Sequence, residues 1–276
     1  MLQIELKNCF NRKEFKFIFG LLCLLAVGTY FYLVLQYKHD GIKWQRSSYD
    51  SLMMVHPSVS TIYSTIMMLL PIIVGFVYSD CYYRDIKKGR RNYICTRYSE
   101  KKYVLSQALA VAIMSFLVIV IPLLINLGLC RLTFLSSGMD NNYALPPYDI
   151  GVQNYAPEHW KELFRLGNPM GYYLVRILII GAVAALFALI IFGLYFFEKI
   201  SEKNKLLPVM IVFAVYLVSE TVFTYMDRSE YSVTSLLYVE SEGNGRVFVI
   251  YLVLMFVLAC LLIGMKLVRL DNRRAE

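Results

Sequence analysis

From Val104 to Cys130 the chain runs without one charged side chain. A stretch this long exceeds the roughly 18–20 apolar residues that carry a helix across a bilayer's hydrocarbon. Lipid offers no partner for peptide N–H and C=O groups, so such a segment must satisfy them internally, as an α-helix. Six apolar segments of this kind punctuate the sequence: Phe17–Leu35, Thr61–Tyr78, Val104–Cys130, Tyr172–Phe197, Leu206–Tyr225 and Val247–Met265. The chain is 58% hydrophobic and 17% charged, where a soluble domain carries about 25% charged residues. That balance excludes a soluble enzyme, a nucleic-acid-binding domain and a disordered chain. The pattern predicts an all-α integral membrane protein, one transmembrane domain over residues 1–276. The first span is too long for a signal-peptide core and no small-x-small cleavage site follows it.

Lysine and arginine set the direction of threading. Alternate connecting segments hold 19 of them on one side of the spans and 8 on the other. The richer side is expected to be cytoplasmic, with both termini inside. The formal charge of +8 is thereby read as topology, with no nucleic-acid partner. Aromatic pairs such as Tyr82 and Tyr83, Tyr172 and Tyr173, and Tyr195 and Phe196 mark the headgroup level. Before the first span, residues 1–16 repeat Leu2, Leu6 and Phe10 at helical spacing beside Lys7, Asn11 and Arg12. This reads as an interfacial helix with its apolar side in lipid.

Several chemistries are missing. There is no G-x-x-x-x-G-K-[ST] phosphate loop, no H-E-x-x-H and no G-x-S-x-G, so no catalytic residue and no cofactor or metal site is expected. The six cysteines form no C-x-x-C pair, and the three histidines are scattered in loops, which argues against a metal. Only two ionisable groups lie inside spans, fewer than an ion-coupled pump usually buries.

The segment between spans two and three, residues 79–103, is the most unusual. It packs eight basic residues into about twenty positions. Asp80 and Asp85 continue span two, and Gly89 can supply the left-handed residue that ends a helix. Ser99 is a candidate N-cap for span three, with Glu100 in its first turn. Between them Arg90–Tyr98 forms a short element bearing Arg90, Arg91, Tyr93, Arg97 and Tyr98. Exposed tyrosine and arginine are typical interface anchors, although an ordinary positive-inside hairpin has the same charge.

The order acidic residue, glycine, short element, then serine with basic residues resembles the coupling loop of ABC-transporter permeases of the second export class, the ABC-two-type permeases. Asp85, Gly89, Arg97, Ser99, Lys101 and Lys102 match that order. The N-terminal LKNCFNRKEFKF, six spans and the basic tail KLVRLDNRR fit as well. Gly89-Arg90 stands where the family often has Gly-Thr. The resemblance implies a permease in a bacterial plasma membrane that pairs with a second copy or a paralogue. It also implies two separate ABC ATPase subunits, which carry the ATP and Mg, gripping Asp85, Gly89, Arg90, Arg91, Tyr93, Arg97, Tyr98 and Ser99.

Arg176 in span four and Glu220 in span five lie at similar depth below the outer surface. They are read as an intramembrane charge pair, or as two side chains reaching separately for headgroups or water. Pro71, Gly75 and Pro122 are expected to kink their spans. Gly181, Ala182, Ala184 and Ala185 allow close helix contact. In the outer loop, residues 131–171, a short helix is expected from Pro157 to Arg165, ended by Gly167. Residues 231–239 carry Val233, Leu236 and Leu237, are too short to cross, and read as re-entrant or interfacial. Polar handles in the spans are few, which favours an amphipathic or hydrophobic cargo such as a membrane-active or antimicrobial peptide. Two other classes remain open from sequence: an ATP-independent channel or secondary carrier, and a membrane scaffold or sensor.

Overall fold

The computed structural model describes residues 1–38, 47–134, 161–197, 204–226, 228, 231–238 and 245–275. The described residues are mostly helical, and there is no strand among them. In chain order the helices are α1 (Leu2–Phe10), α2 (Lys13–Tyr37), α3 (Pro57–Met68), α4 (Leu70–Val77), α5 (Cys81–Lys87) and α6 (Arg90–Cys95). They continue with α7 (Glu100–Thr133), α8 (Glu162–Gly167), α9 (Pro169–Leu194), α10 (Leu207–Tyr225), α11 (Val233–Leu237) and α12 (Gly245–Ala275). Five segments are long and apolar enough to cross a membrane: α2, α7, α9, α10 and Val249–Leu270 within α12. The pair α3 and α4 passes the same test jointly, bent by 57° at the break, and makes a sixth span if counted as one.

The break between α3 and α4 has a local cause. Pro71 sits in the first turn of α4, where its missing N–H costs nothing. One turn earlier, however, Met67 O is left without its usual i+4 donor. The Tyr216 hydroxyl of α10 donates to that carbonyl at 3.4 Å. Gly75 does not bend α4; a Cβ there would lie 2.8 Å from Val209 Cγ1 of α10, so it permits close packing. Pro122 lies inside a helix that runs unbroken from Glu100 to Thr133.

The centre of the bundle is α9, which packs along α7 and also touches α4, α10 and α12. Two-thirds of its membrane window (67%) is buried within the chain, against 11% for the last span. At Gly181 a Cβ would press on Val120 and lie 2.8 Å from Phe116 of α7, so the glycine sets the α7–α9 distance. Ala184 is buried, while Ala182 and Ala185 line an apolar groove of about 610 Å³ shared with α7 and α12. Of the small residues in this helix, Gly181 and Ala184 thus serve packing within the chain.

The end of the first connection folds inward. Residues 47–55 are mostly buried. Met53 N–H donates to Asn126 Oδ1 at 2.9 Å, Asn126 Nδ2 donates to Ala26 O at 3.0 Å, and Tyr49 stacks on Tyr173 at 6.0 Å. Asn126 thereby ties spans one and three to a connection that would otherwise leave its peptide groups unpaired. His56 caps α3, its Nδ1 accepting from Ser58 N–H at 3.2 Å.

The expected helix from Pro157 to Arg165 falls partly outside the described residues. What is described is α8, Glu162–Gly167, followed by Asn168, whose side chain accepts from Gly171 N–H and caps α9. Gly167 ends the helix, as its sequence position suggested.

Candidate functional site

The basic hairpin folds as two short helices on the end of span two. Lys88 ends α5, and Gly89 turns the chain in the left-handed region (φ +67°). No neighbour lies within 4 Å of the place a Cβ would take. The glycine is therefore required by backbone angle, not by space. Helix α6 has no buried residue. Tyr93 is 82% exposed and Tyr98 47%; Arg90 and Arg97 are exposed, and Arg91 is half-buried. Ser99 has the extended backbone of an N-cap (φ −64°, ψ 138°), but its hydroxyl makes no capping bond. Glu100 turns back instead to bind Arg91, stapling α6 to the start of span three.

Asp85 is buried, unlike the exposed residues of the hairpin that follow it. Its Oδ2 accepts from the Tyr103 hydroxyl at 2.7 Å and from Gln107 Nε2 at 3.0 Å, both on α7. A carboxylate held by two donors on one helix fixes α5 against that helix. Asp85 is therefore a positioning residue beneath the exposed face. Asp85, Arg90, Tyr93, Arg97 and Tyr98 share one cleft of about 440 Å³, whose other wall is Ile4, Glu5 and Asn8 of α1.

Beneath the hairpin lies a polar network that inspection of the sequence missed. Arg12 grips Asp80 with two nitrogens, at 2.7 and 3.3 Å, and donates to Val77 O at 3.3 Å, the carbonyl end of α4. Lys205 Nζ approaches Asp80 Oδ2 at 3.1 Å. Burial pushes the Asp80 carboxyl up, but the Arg12 guanidinium outweighs it and holds the group below the ordinary aspartate value. Tyr78 donates to Glu5 Oε2 at 2.6 Å. For Glu5 burial prevails over that bond, aided by the Asp85 charge, and its carboxyl lies above the ordinary glutamate value. Helix α1 turns Glu5 and Cys9 inward, leaves Leu2 and Leu6 half-buried and exposes Phe10. Tyr82, also buried, has Arg91 at 5.9 Å and Lys266 at 5.1 Å from its ring centroid, with Phe196 edge-on at 4.9 Å. The hairpin thus touches span three through Asp85 and the last span through Tyr82.

At the opposite end of the bundle, Arg176 and Glu220 are brought to the two ends of one short helix. Glu220 Oε1 accepts from the Thr234 N–H of α11 at 2.9 Å, and its Oε2 accepts from the Thr234 hydroxyl. Arg176 donates to Tyr238 O, just past the end of α11, at 2.9 Å, and to the Tyr172 hydroxyl at 3.2 Å. The two side chains are not bonded to each other; each meets the orphan backbone group of matching polarity at its end of α11. The sequence marked both charges, and marked residues 231–239 as non-crossing, without linking the two.

Taken together, the absence of strands among the described residues and the long apolar helices define an all-α membrane protein with several candidate spans. No protein-family model, curated protein or solved structure matches the chain.

Proposed function

We propose that this chain is the permease subunit of an exporter of the ABC-two type, sited in a bacterial plasma membrane with both termini cytoplasmic. In this reading it works with a second permease copy or paralogue and is moved by two separate ABC ATPase subunits. The observation that supports it is the form of the hairpin. A short helix bearing exposed Tyr93, with exposed Arg97 and Tyr98 just past its end, stands on a buried base of Asp85, Tyr103 and Gln107. A chain without nucleotide chemistry of its own needs such a rigid, exposed grip if a partner is to bias it between two arrangements. The scarcity of polar groups in the spans favours an amphipathic or hydrophobic cargo, such as a membrane-active peptide.

The test is co-reconstitution in vesicles with the candidate ATPase. Tyr93→Ala with Arg97→Ala removes two anchors without touching a buried group. We expect ATPase association to weaken at least about tenfold and permease-stimulated hydrolysis to fall with it. Unchanged association would overturn the reading; association without any stimulation would point to a scaffold.

A further inference from the structure

We infer that α11 is a latch, a single releasable element that closes the end of the bundle opposite the hairpin and lets go of all its walls together. The latch itself does not depend on the exporter reading; only the identification of its opening with an exit gate does.

Four helices hold this five-residue element. From α3, the Tyr63 hydroxyl donates to Leu237 O, and Ser64 O accepts from the Tyr238 hydroxyl at 3.5 Å. From α9 comes Arg176, from α10 Glu220, and from α12 the Tyr251 hydroxyl, which donates to Tyr231 O. Val233 and Leu237 are buried beneath. A helix this short has almost no stability of its own. The Thr234 N–H in its first turn and the Leu237 and Tyr238 carbonyls at its end are satisfied from outside, by Glu220, Tyr63 and Arg176. Inside a low-dielectric bundle such charge-assisted bonds are strong, and an unmet group is expensive. Release of one end takes both Thr234 donors from the half-buried Glu220 carboxylate, or the Tyr238 carbonyl from the buried Arg176 guanidinium, so neither end lets go cheaply while the other holds the segment in place. The favoured states are fully seated or fully out.

The arrangement distinguishes itself from a direct Arg176–Glu220 ion pair by one substitution. Exchanging the two charges preserves an ion pair. Here the exchange sets arginine N–H groups against Thr234 N–H and a carboxylate against Tyr238 O, donor facing donor and acceptor facing acceptor.

The experiment is amide hydrogen exchange, resolved by residue, on the full chain in lipid nanodiscs without any ATPase. Arg176→Met and Glu220→Met should each accelerate exchange at both Thr234 and Tyr238, by about tenfold or more given the strength of bonds to charged groups. The double variant Arg176→Glu, Glu220→Arg should exchange faster than either single. Arg176→Lys, which keeps the charge and a donor, should lie between wild type and Arg176→Met. Wild-type protection in the charge-exchanged chain, or acceleration confined to the substituted end, overturns the latch. For variants that fail to fold, protection in the centre of α7 is lost as well, and the lysine variant then carries the test. The exporter reading fails separately, through the association assay above.

Discussion

Replacing Asp80 by asparagine removes one charge from a buried ion pair and leaves the volume almost unchanged. The Arg12 and Asp80 side chains are 7% and 6% exposed, so the guanidinium left behind is shielded from water. Breaking one side of such a pair costs about 3–5 kcal/mol. At roughly 2 °C per kcal/mol for a chain of this size, the melting midpoint should fall by about 6 °C or more. Lys205, at 53% side-chain exposure, is worth at most about 1 kcal/mol; Lys205→Gln should therefore move the midpoint by no more than about 2 °C. Two neighbours report on the site directly. Cys9 and Cys81 are fully buried, and burial pushes the Cys9 thiol up to about 12. A thiol-reactive dye in a thermal scan thus labels them only when this corner opens, and in Asp80→Asn labelling should begin at lower temperature. Acid adds a second signature. Asp80's carboxyl lies below its ordinary value in the folded chain. Its contribution is therefore complete above that ordinary value and vanishes as pH falls through the lowered one. The wild type should lose stability over that acid window, and the asparagine variant should lack this component. Finally, Arg12→Met with Asp80→Leu should recover most of the loss, since apolar pairs replace buried ion pairs with little penalty. If the double variant is as unstable as Asp80→Asn, the loss does not come from a stranded charge, and the reasoning fails.

Two further substitutions test packing and the neighbouring acid. Glu5 has its carboxyl raised by burial, so its contribution is fullest below the ordinary glutamate value and is lost as pH rises through the raised one. Glu5→Gln should flatten that limb in melting midpoints taken across pH, and an unaltered profile would contradict the assignment. Gly181→Ala places a methyl against Phe116 and Val120 and should cost about 1–3 kcal/mol by overpacking. Gly128→Ala, with nothing within 4 Å of the added carbon, serves as the control and should be neutral or mildly stabilising in the same thermal scan.

The five long apolar helices were legible because their signal is local: an uncharged run of sufficient length admits one backbone solution. Gly89 and the Ser99 cap position were legible for a similar reason, being fixed by backbone angle. The pairing of Arg12 with Asp80 was not, because 68 residues separate them and nothing in LKNCFNRKEFKF distinguishes an arginine bound for a headgroup from one bound for a carboxylate. Asp85 carries the same lesson. Its place in the chain suggested a contact for a partner, yet Tyr103 and Gln107, one turn apart on α7, draw it inside. Arg176 and Glu220 were conspicuous as charges in apolar runs. Their shared partner is backbone, and backbone leaves no residue-type signature.

Because the chain breaks at Leu69, α3 and α4 answer to different ends of the molecule. The lower piece, α4, carries the hairpin and receives Arg12 at its last carbonyls; the upper piece, α3, carries Tyr63 and Ser64, which grip α11. Bent by 57° at the break, the two helices do not form one stiff rod between the hairpin and α11. The joint between them lies at Met67, whose carbonyl accepts from the Tyr216 hydroxyl of α10 at 3.4 Å, so α10 bears directly on the place where α3 and α4 meet.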